Sequence, residues 1–290
     1  MKIGFIYPQT ELRGDPVAVR EIGLATEALG FDHLLAYDHV LGATHDREPA
    51  LNGPYTENHP FHDPLVMFAY LAGITSRITL TTGVLILPQR QTALVARQAA
   101  DVALLSGDRL RLGVGLGWNY VEYDALGQDF ATRGKRVSEQ VALLRELWSS
   151  PLVDFRGTFD RIDRAALNPR PAHPIPVWFG GFADVALRRA AKIADGFICA
   201  DGAGDAAAQI GRLHELLAQE GRTREEFGVQ MNMLKARTPE QVVETVLRWR
   251  DLGGSHAAFA SMGQGFDTLA AHREHLERVA DALRKADLLP

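Results

Sequence analysis

Pro176-Val177-Trp178-Phe179-Gly180-Gly181-Phe182-Ala183-Asp184-Val185-Ala186-Leu187-Arg188-Arg189-Ala190-Ala191-Lys192-Ile193-Ala194-Asp195-Gly196-Phe197-Ile198-Cys199-Ala200 is the stretch whose reading decides the fold. A short apolar run, Pro176–Phe179, gives way at a glycine pair to residues of helical period, Asp184–Ala194. A second short run, Gly196–Ala200, follows. Runs this short read as strands, and the segment between them is long enough for a helix. Apolar throughout, such strands fit a parallel sheet covered on both sides.

Working outward, the same alternation fills the chain. Further strand runs fall at Lys2–Tyr7, His33–Tyr37, Ile78–Leu87, Leu110–Gly115, Gly228–Leu234 and Ser255–Met262. Helical period follows each, near Pro16–Leu29, from Asp63-Pro64, and at Thr92–Leu105, Arg133–Trp148, Asp205–Glu220, Pro239–Leu252 and Thr268–Ala286. Asp63-Pro64 and Thr238-Pro239-Glu240-Gln241 carry helix-start signals, an N-cap followed by proline and, in the second, a capping box. A doubly wound sheet also alternates, but eight βα units in 290 residues match barrel dimensions. The expected fold is therefore α/β, a single (β/α)8 TIM barrel forming one domain over 1–290. Polar excursions leave it after strands two (Leu41–His62) and four (Gly115–Asp129), and a small hairpin is expected within Pro151–Pro171.

Composition narrows the function. The chain is 46% hydrophobic and 23% charged with a net charge of −5, so no overall field draws it to nucleic acid or to an anionic membrane. Cys199 is the one cysteine, which rules out an internal disulfide and a thiolate metal cluster. The N-terminal apolar stretch is too short for a signal peptide, and no run is long enough to span a bilayer. A cytoplasmic protein acting on a small molecule is expected.

In such barrels chemistry sits in the loops that follow the strands. Asp38-His39 ends the second strand, where an imidazole can move a proton near neutral pH, or where the two side chains simply form a structural pair. Gly83 inside the third strand marks a bulge or a close backbone approach, or merely tight packing. Gly113-Val114-Gly115-Leu116-Gly117 lacks the spacing of a dinucleotide fingerprint, since the third glycine position falls on Trp118 or Tyr120. Its glycines read better as room for a planar ring. Gly180-Gly181 at a helix start exposes N–H groups that suit a phosphate, or serves as a tight turn. His45, His59, His62 and Asp63 match no zinc spacing, and His272-Arg273-Glu274-His275 is not His-Glu-x-x-His. No metal is expected.

Over about Met1–Ala200 the order and spacing of several sections resemble the luciferase-like monooxygenase superfamily of flavin and deazaflavin oxidoreductases. They are Asp38-His39, Thr82-Gly83-Val84 through Pro88, Gly113 through Asn119, Ala125-Leu126-Gly127, Arg133-Gly134-Lys135-Arg136, Pro176 through Gly181 and Ala194-Asp195-Gly196-Phe197. The resemblance implies a tricyclic ring in the barrel mouth, backed by a cis peptide at Gly83–Val84, with its phosphate on the N–H groups of Gly180 and Gly181. It places the cofactor against Asp38, Gly83, Val84, Gly115, Gly117, Phe179, Gly180 and Gly181, and it makes His39 the proton donor or acceptor. Sugar-phosphate dehydrogenase relatives carry a glutamate where this chain has Trp118, which instead offers a substrate an aromatic wall. The short chain and the fourth-strand sequence point to coenzyme F420 and hydride transfer. The alternative is FMN with oxygen chemistry. A metal-dependent barrel hydrolase and a non-catalytic flavin-binding relative are the remaining readings. The resemblance also implies a homodimer.

Overall fold

The computed structural model describes residues 1–202 and 204–290. Its principal strands are β1 (Lys2–Ile6), β2 (His33–Ala36), β3 (Thr79–Thr82), β4 (Leu85–Ile86), β5 (Leu110–Gly115), β8 (Val177–Gly180), β9 (Gly196–Ala200), β10 (Gly228–Met233) and β11 (His256–Ala260). They run parallel in the order β3-β2-β1-β11-β10-β9-β8-β5, and β3 pairs back onto β5. The sheet thus closes on itself as a (β/α)8 barrel. The third barrel strand is broken into β3 and β4 at Gly83–Val84, and β4 continues along β5 with Leu85 beside Val114 and Ile86 beside Gly115. The expected hairpin is β6 (Val153–Arg156) against β7 (Arg161–Ala165), antiparallel and outside the barrel.

Around the barrel run α1 (Pro16–Ala28), α2 (Pro64–Ala72), α3 (Thr92–Ser106), α5 (Arg133–Ser149), α6 (Asp184–Ile193), α7 (Ala206–Gln219), α8 (Pro239–Asp251) and α9 (Leu269–Lys285). A short α4 (Tyr120–Ala125) sits in the excursion after β5. Many of these helices start where local chemistry dictates. Asp15, Asp63, Asp205, Thr238 and Thr268 accept the first free N–H groups, prolines begin α1, α2 and α8, and the Thr238/Gln241 capping box forms. Among the described residues no helix is long and apolar enough to cross a membrane.

The barrel interior is polar at its amino-terminal end. Arg111 on β5 donates from Nη2 to Gln230 Oε1 on β10 at 3.1 Å, and those strands are separated by β8 and β9. The bond therefore spans the lumen. Arg111 also stacks 4.6 Å over Trp178, and His256 meets the Trp178 ring edge-on at 4.9 Å. Burial and the Arg111 charge hold His33 at about 4 and His256 at about 2, so both are neutral spacers. These side chains fill the barrel interior toward the amino-terminal ends of the strands. Cys199 is buried at 4% exposure, and burial pushes its thiol up to about 12.

Candidate active site

The excursion that follows β2 folds over the barrel mouth and is fastened to the segment that follows β5. Asn119 starts α4 by accepting from the Val121 N–H, while its Nδ2 donates to the Leu41 carbonyl at 3.1 Å. The Tyr120 hydroxyl donates to the Pro49 carbonyl. Gly53 lies on the Trp118 ring, where a Cβ would come within 2.3 Å of ring carbon. Only glycine lets the roof approach the indole this closely.

Under this roof His39 is enclosed by rings. Phe61, Tyr55 and Trp118 meet it edge-on at centroid distances of 4.9, 5.4 and 5.5 Å. Its Nδ1 lies 3.1 Å from Glu122 Oε2. Among the described residues Nε2 has no hydrogen-bond partner, and it is not one of the fully buried unpartnered polar atoms. His39 is therefore held by one nitrogen and open at the other. Glu122 was not singled out in the sequence. It stands three residues after Asn119, the spacing of a capping box, yet its carboxylate reaches across to the excursion instead of back to the helix start.

Asp38 has a different place from the one the resemblance gave it. Its buried carboxylate accepts from Arg90 Nη2 at 2.6 Å, from Arg90 Nε at 3.3 Å and from the Ile86 N–H at 2.8 Å. Arg90 also donates to Asp63 at 2.8 Å. Burial works against the guanidinium charge, but Asp38 and Asp63 together hold Arg90 above its ordinary value. Asp38 is thus a strut behind β4, its oxygens engaged by Arg90 and the Ile86 N–H.

From Leu80 to Gln89 only Gly83 and Val84 are not buried. Their peptide bond is cis, as the resemblance implied. Val84 is wedged between two glycines. A Cβ on Gly115 would lie 2.4 Å from Val84 Cγ2, and one on Gly180 would lie 2.6 Å from Val84 Cγ1. Gly117 likewise makes room for Ile86, at 2.9 Å. Gly115 and Gly117, at and just after the end of β5, therefore admit the side chains of Val84 and Ile86, where the sequence suggests room for a ring. Phe179 also departs from the expectation. Its side chain is 1% exposed in the core between barrel and helices, and so cannot line the mouth.

Gly180 and Gly181 are half-buried and lead into α6, whose N-cap, Ala183, offers no side-chain acceptor. The first bond of the turn is from the Ala186 N–H to the Ala183 carbonyl, and none is formed by the N–H groups of Asp184 and Val185. Those donors are free for an anion. Asp184 sits in this turn, but hydrogen bonds from Arg212 and Arg188 engage its carboxylate and keep it well below its ordinary value.

Two further polar atoms at the mouth are buried without partners, Tyr7 Oη and Gln9 Nε2. Gln9 Oε1 accepts from the Tyr37 N–H at 2.8 Å, which places that orphaned amide beside the end of β2. Beside it opens a cleft of about 340 Å³ lined in part by Tyr37, Tyr55, His59, Leu234 and Met262. Burial and the Glu11 charge push the Tyr55 phenol up to about 12, which leaves it a hydrogen-bond donor at neutral pH. A larger surface cleft of about 630 Å³ lies between α8 and α9, away from the strand ends. Among the described residues no group of three or more His, Cys, Asp or Glu side chains is placed to hold a metal ion. The loop Asp201–Asp205, another candidate by position, includes Ala203, which lies outside the described residues.

The closed parallel barrel, with these side chains gathered at the carboxyl ends of its strands, has the build of a barrel enzyme. The chain matches the luciferase-like monooxygenase family over residues 4–290, and it belongs to that family. It is 37% identical over 209 residues, 70% of each chain, to an uncharacterized protein of Mycobacterium tuberculosis. It is 30% identical over 278 residues to the F420-dependent glucose-6-phosphate dehydrogenase of Intrasporangium calvum, covering 89% of this chain and 75% of that one. Among solved structures it superposes on an F420-dependent secondary alcohol dehydrogenase in complex with an F420-acetone adduct, with a TM-score of 0.78, 17% identity and coverage of 98% and 99%. A riboflavin lyase holding modified FMN matches with a TM-score of 0.80 at 12% identity, covering 100% of this chain and 92% of that one.

Proposed function

We propose that this protein transfers hydride between coenzyme F420 and a small organic substrate, with His39 handling the accompanying proton. The observation that carries the reading is His39 itself, fixed through Nδ1 and open at Nε2 in a mouth where the otherwise buried third strand uncovers Gly83 and Val84. The residues present fit the cofactor. Gly83–Val84 offers a flat backbone surface, Gly180 and Gly181 lead to the free amides of α6, and the orphaned Gln9 Nε2 and Tyr7 Oη are donors for ring or side-chain oxygens. When bound, a deazaflavin supplies a two-electron donor or acceptor that reacts poorly with oxygen. The chain's own residues supply the rest: the glycine-lined helix start holds the phosphate, the roof excludes water, and Nε2 takes or returns the proton. Trp118 forms an aromatic wall for the substrate.

An FMN-dependent monooxygenase is the second reading, favoured by the fold shared with the FMN-binding riboflavin lyase. F420 is preferred because relatives 30% and 32% identical to this chain are F420-dependent glucose-6-phosphate dehydrogenases, whereas that neighbour shares only 12%. One cytoplasmic domain acting as a homodimer completes the proposal, on family grounds. His39→Ala tests it with propan-2-ol and glucose 6-phosphate as probe substrates for F420 reduction. Turnover should fall by roughly 10²–10⁴-fold while F420 affinity changes little. Unchanged turnover would reject the proton role of His39.

A further inference from the structure

Glu122 is the buried carboxylate at this mouth that has no ion pair with arginine or lysine. Asp38, one residue from His39, pairs with Arg90, whereas the partners of Glu122 among the described residues are two backbone N–H groups and the imidazole of His39. Its Oε1 accepts from the Val40 N–H at 2.6 Å and from the Leu41 N–H at 3.0 Å, and its Oε2 lies 3.1 Å from His39 Nδ1. The residue is 1% exposed, so water cannot substitute for these partners. All three donors belong to the stretch 39–41, where the chain leaves β2 to build the roof.

Tyr55, Phe61 and Trp118 meet the imidazole edge-on, with His59 beyond Tyr55 at 5.7 Å and His45 beyond Trp118 at 6.4 Å. One oxygen of Glu122 is committed as an acceptor to two backbone donors. The other is presented to Nδ1, and a carboxylate there requires Nδ1 to carry the hydrogen. The lone pair is then on Nε2, the nitrogen without a hydrogen-bond partner among the described residues.

We infer that Glu122 is the positioning residue of the proton-transfer step. It holds the His39 tautomer with hydrogen on Nδ1, aims the Nε2 lone pair into the mouth, and by the same carboxylate fixes where the roof departs. A deazaflavin bound here would supply the hydride acceptor, and Nε2 would take the proton that the substrate releases on oxidation. Nε2 returns it in the reducing direction. Glu122 acts on the step through His39, by holding and orienting the imidazole. This rests on the proton role proposed for His39, but the decisive readout does not depend on activity.

Nitrogen-15 NMR of histidine-labelled protein reports the tautomer directly, with His39→Asn identifying the signal. The wild-type protein should show hydrogen on Nδ1. Glu122→Gln keeps an oxygen for the Val40 and Leu41 donors but turns an NH2 toward Nδ1, so His39 should switch to hydrogen on Nε2. Turnover of the probe substrate should then fall at least about tenfold with F420 affinity unchanged, and Glu122→Asp should recover part of it. Wild-type protein with hydrogen on Nε2, or a Glu122→Gln switch without loss of turnover, would overturn the inference. If Glu122→Gln does not fold, the wild-type spectrum alone decides the tautomer. Unaltered turnover in His39→Ala would remove the proton role while leaving the tautomer result standing, so the two failures are separable.

Discussion

Gly180→Ala is the sharpest test of how the mouth is built. A methyl group at this position would stand 2.6 Å from Val84 Cγ1, against an ordinary carbon–carbon contact of about 3.5–4.0 Å. Val84 cannot yield by moving toward β5, because its Cγ2 already fills the space where Gly115 would carry a Cβ, at 2.4 Å. The strand segment at Gly83–Val84 or the helix start at Gly181 must therefore shift by about an ångström, an overpacking cost of about 1–3 kcal/mol. If Gly83–Val84 backs the cofactor, that cost is felt as a loss of about 5- to 150-fold in F420 affinity, together with a lower unfolding temperature. Val84→Ala removes both γ-carbons, so the double variant should recover most of both losses, which an additive pair would not do. Fluorescence titration of F420 and a thermal melt on the four proteins read the cycle. Wild-type behaviour of Gly180→Ala, or no rescue by Val84→Ala, would refute the wedge.

Asp38→Asn should lower stability by about 3 kcal/mol, because it leaves the half-buried Arg90 with Asp63 as its one carboxylate partner. An unchanged urea midpoint would show that the strut is dispensable. Acid should weaken the fold through the floor of the barrel: His33 titrates at about 4 when folded but near 6.5 when unfolded, so the unfolded chain binds more protons in that window. Stability therefore falls as pH drops from about 6.5 toward 4, by about 3 kcal/mol for His33 alone. Unfolding free energies of His33→Asn should fall less steeply over that range, and an identical slope would contradict the assignment. Trp118→Ala should raise the KM of an apolar probe such as propan-2-ol by several-fold while F420 affinity holds, since the indole lies between the roof and His39. Equal losses in both would place Trp118 against the cofactor instead.

The barrel was legible because its rule is local. Short apolar runs such as Gly196–Ala200 and periodic segments such as Thr268–Ala286 follow one another with little interruption, and closure needs no further information. His39 is legible from its place at a strand end, Gly83 from a glycine inside a strand, and Gly180 and Gly181 from a glycine pair at a helix start, whereas Val84 and Trp118 rest on the family resemblance. The direction of each side chain was not legible. Phe179 and Gly180 are neighbours on one strand, yet the period of two turns Phe179 into the outer core and leaves Gly180 facing Val84. Asp38 and Arg90 lie far apart in sequence, and Glu122 lies farther still from His39, so their pairing follows from barrel closure and from no local pattern. Gly115 and Gly117 looked like space for a ligand because a glycine records only that something approaches, and here the approaching groups are Val84 and Ile86.

The central claim is that this mouth takes F420. Parallel titrations of the purified chain with F420 and FMN, followed by quenching of cofactor fluorescence, address it most directly. The account predicts saturable F420 binding that Gly180→Ala weakens, and clearly weaker binding of FMN. Tight binding of FMN with none of F420, or no binding of either, would contradict it.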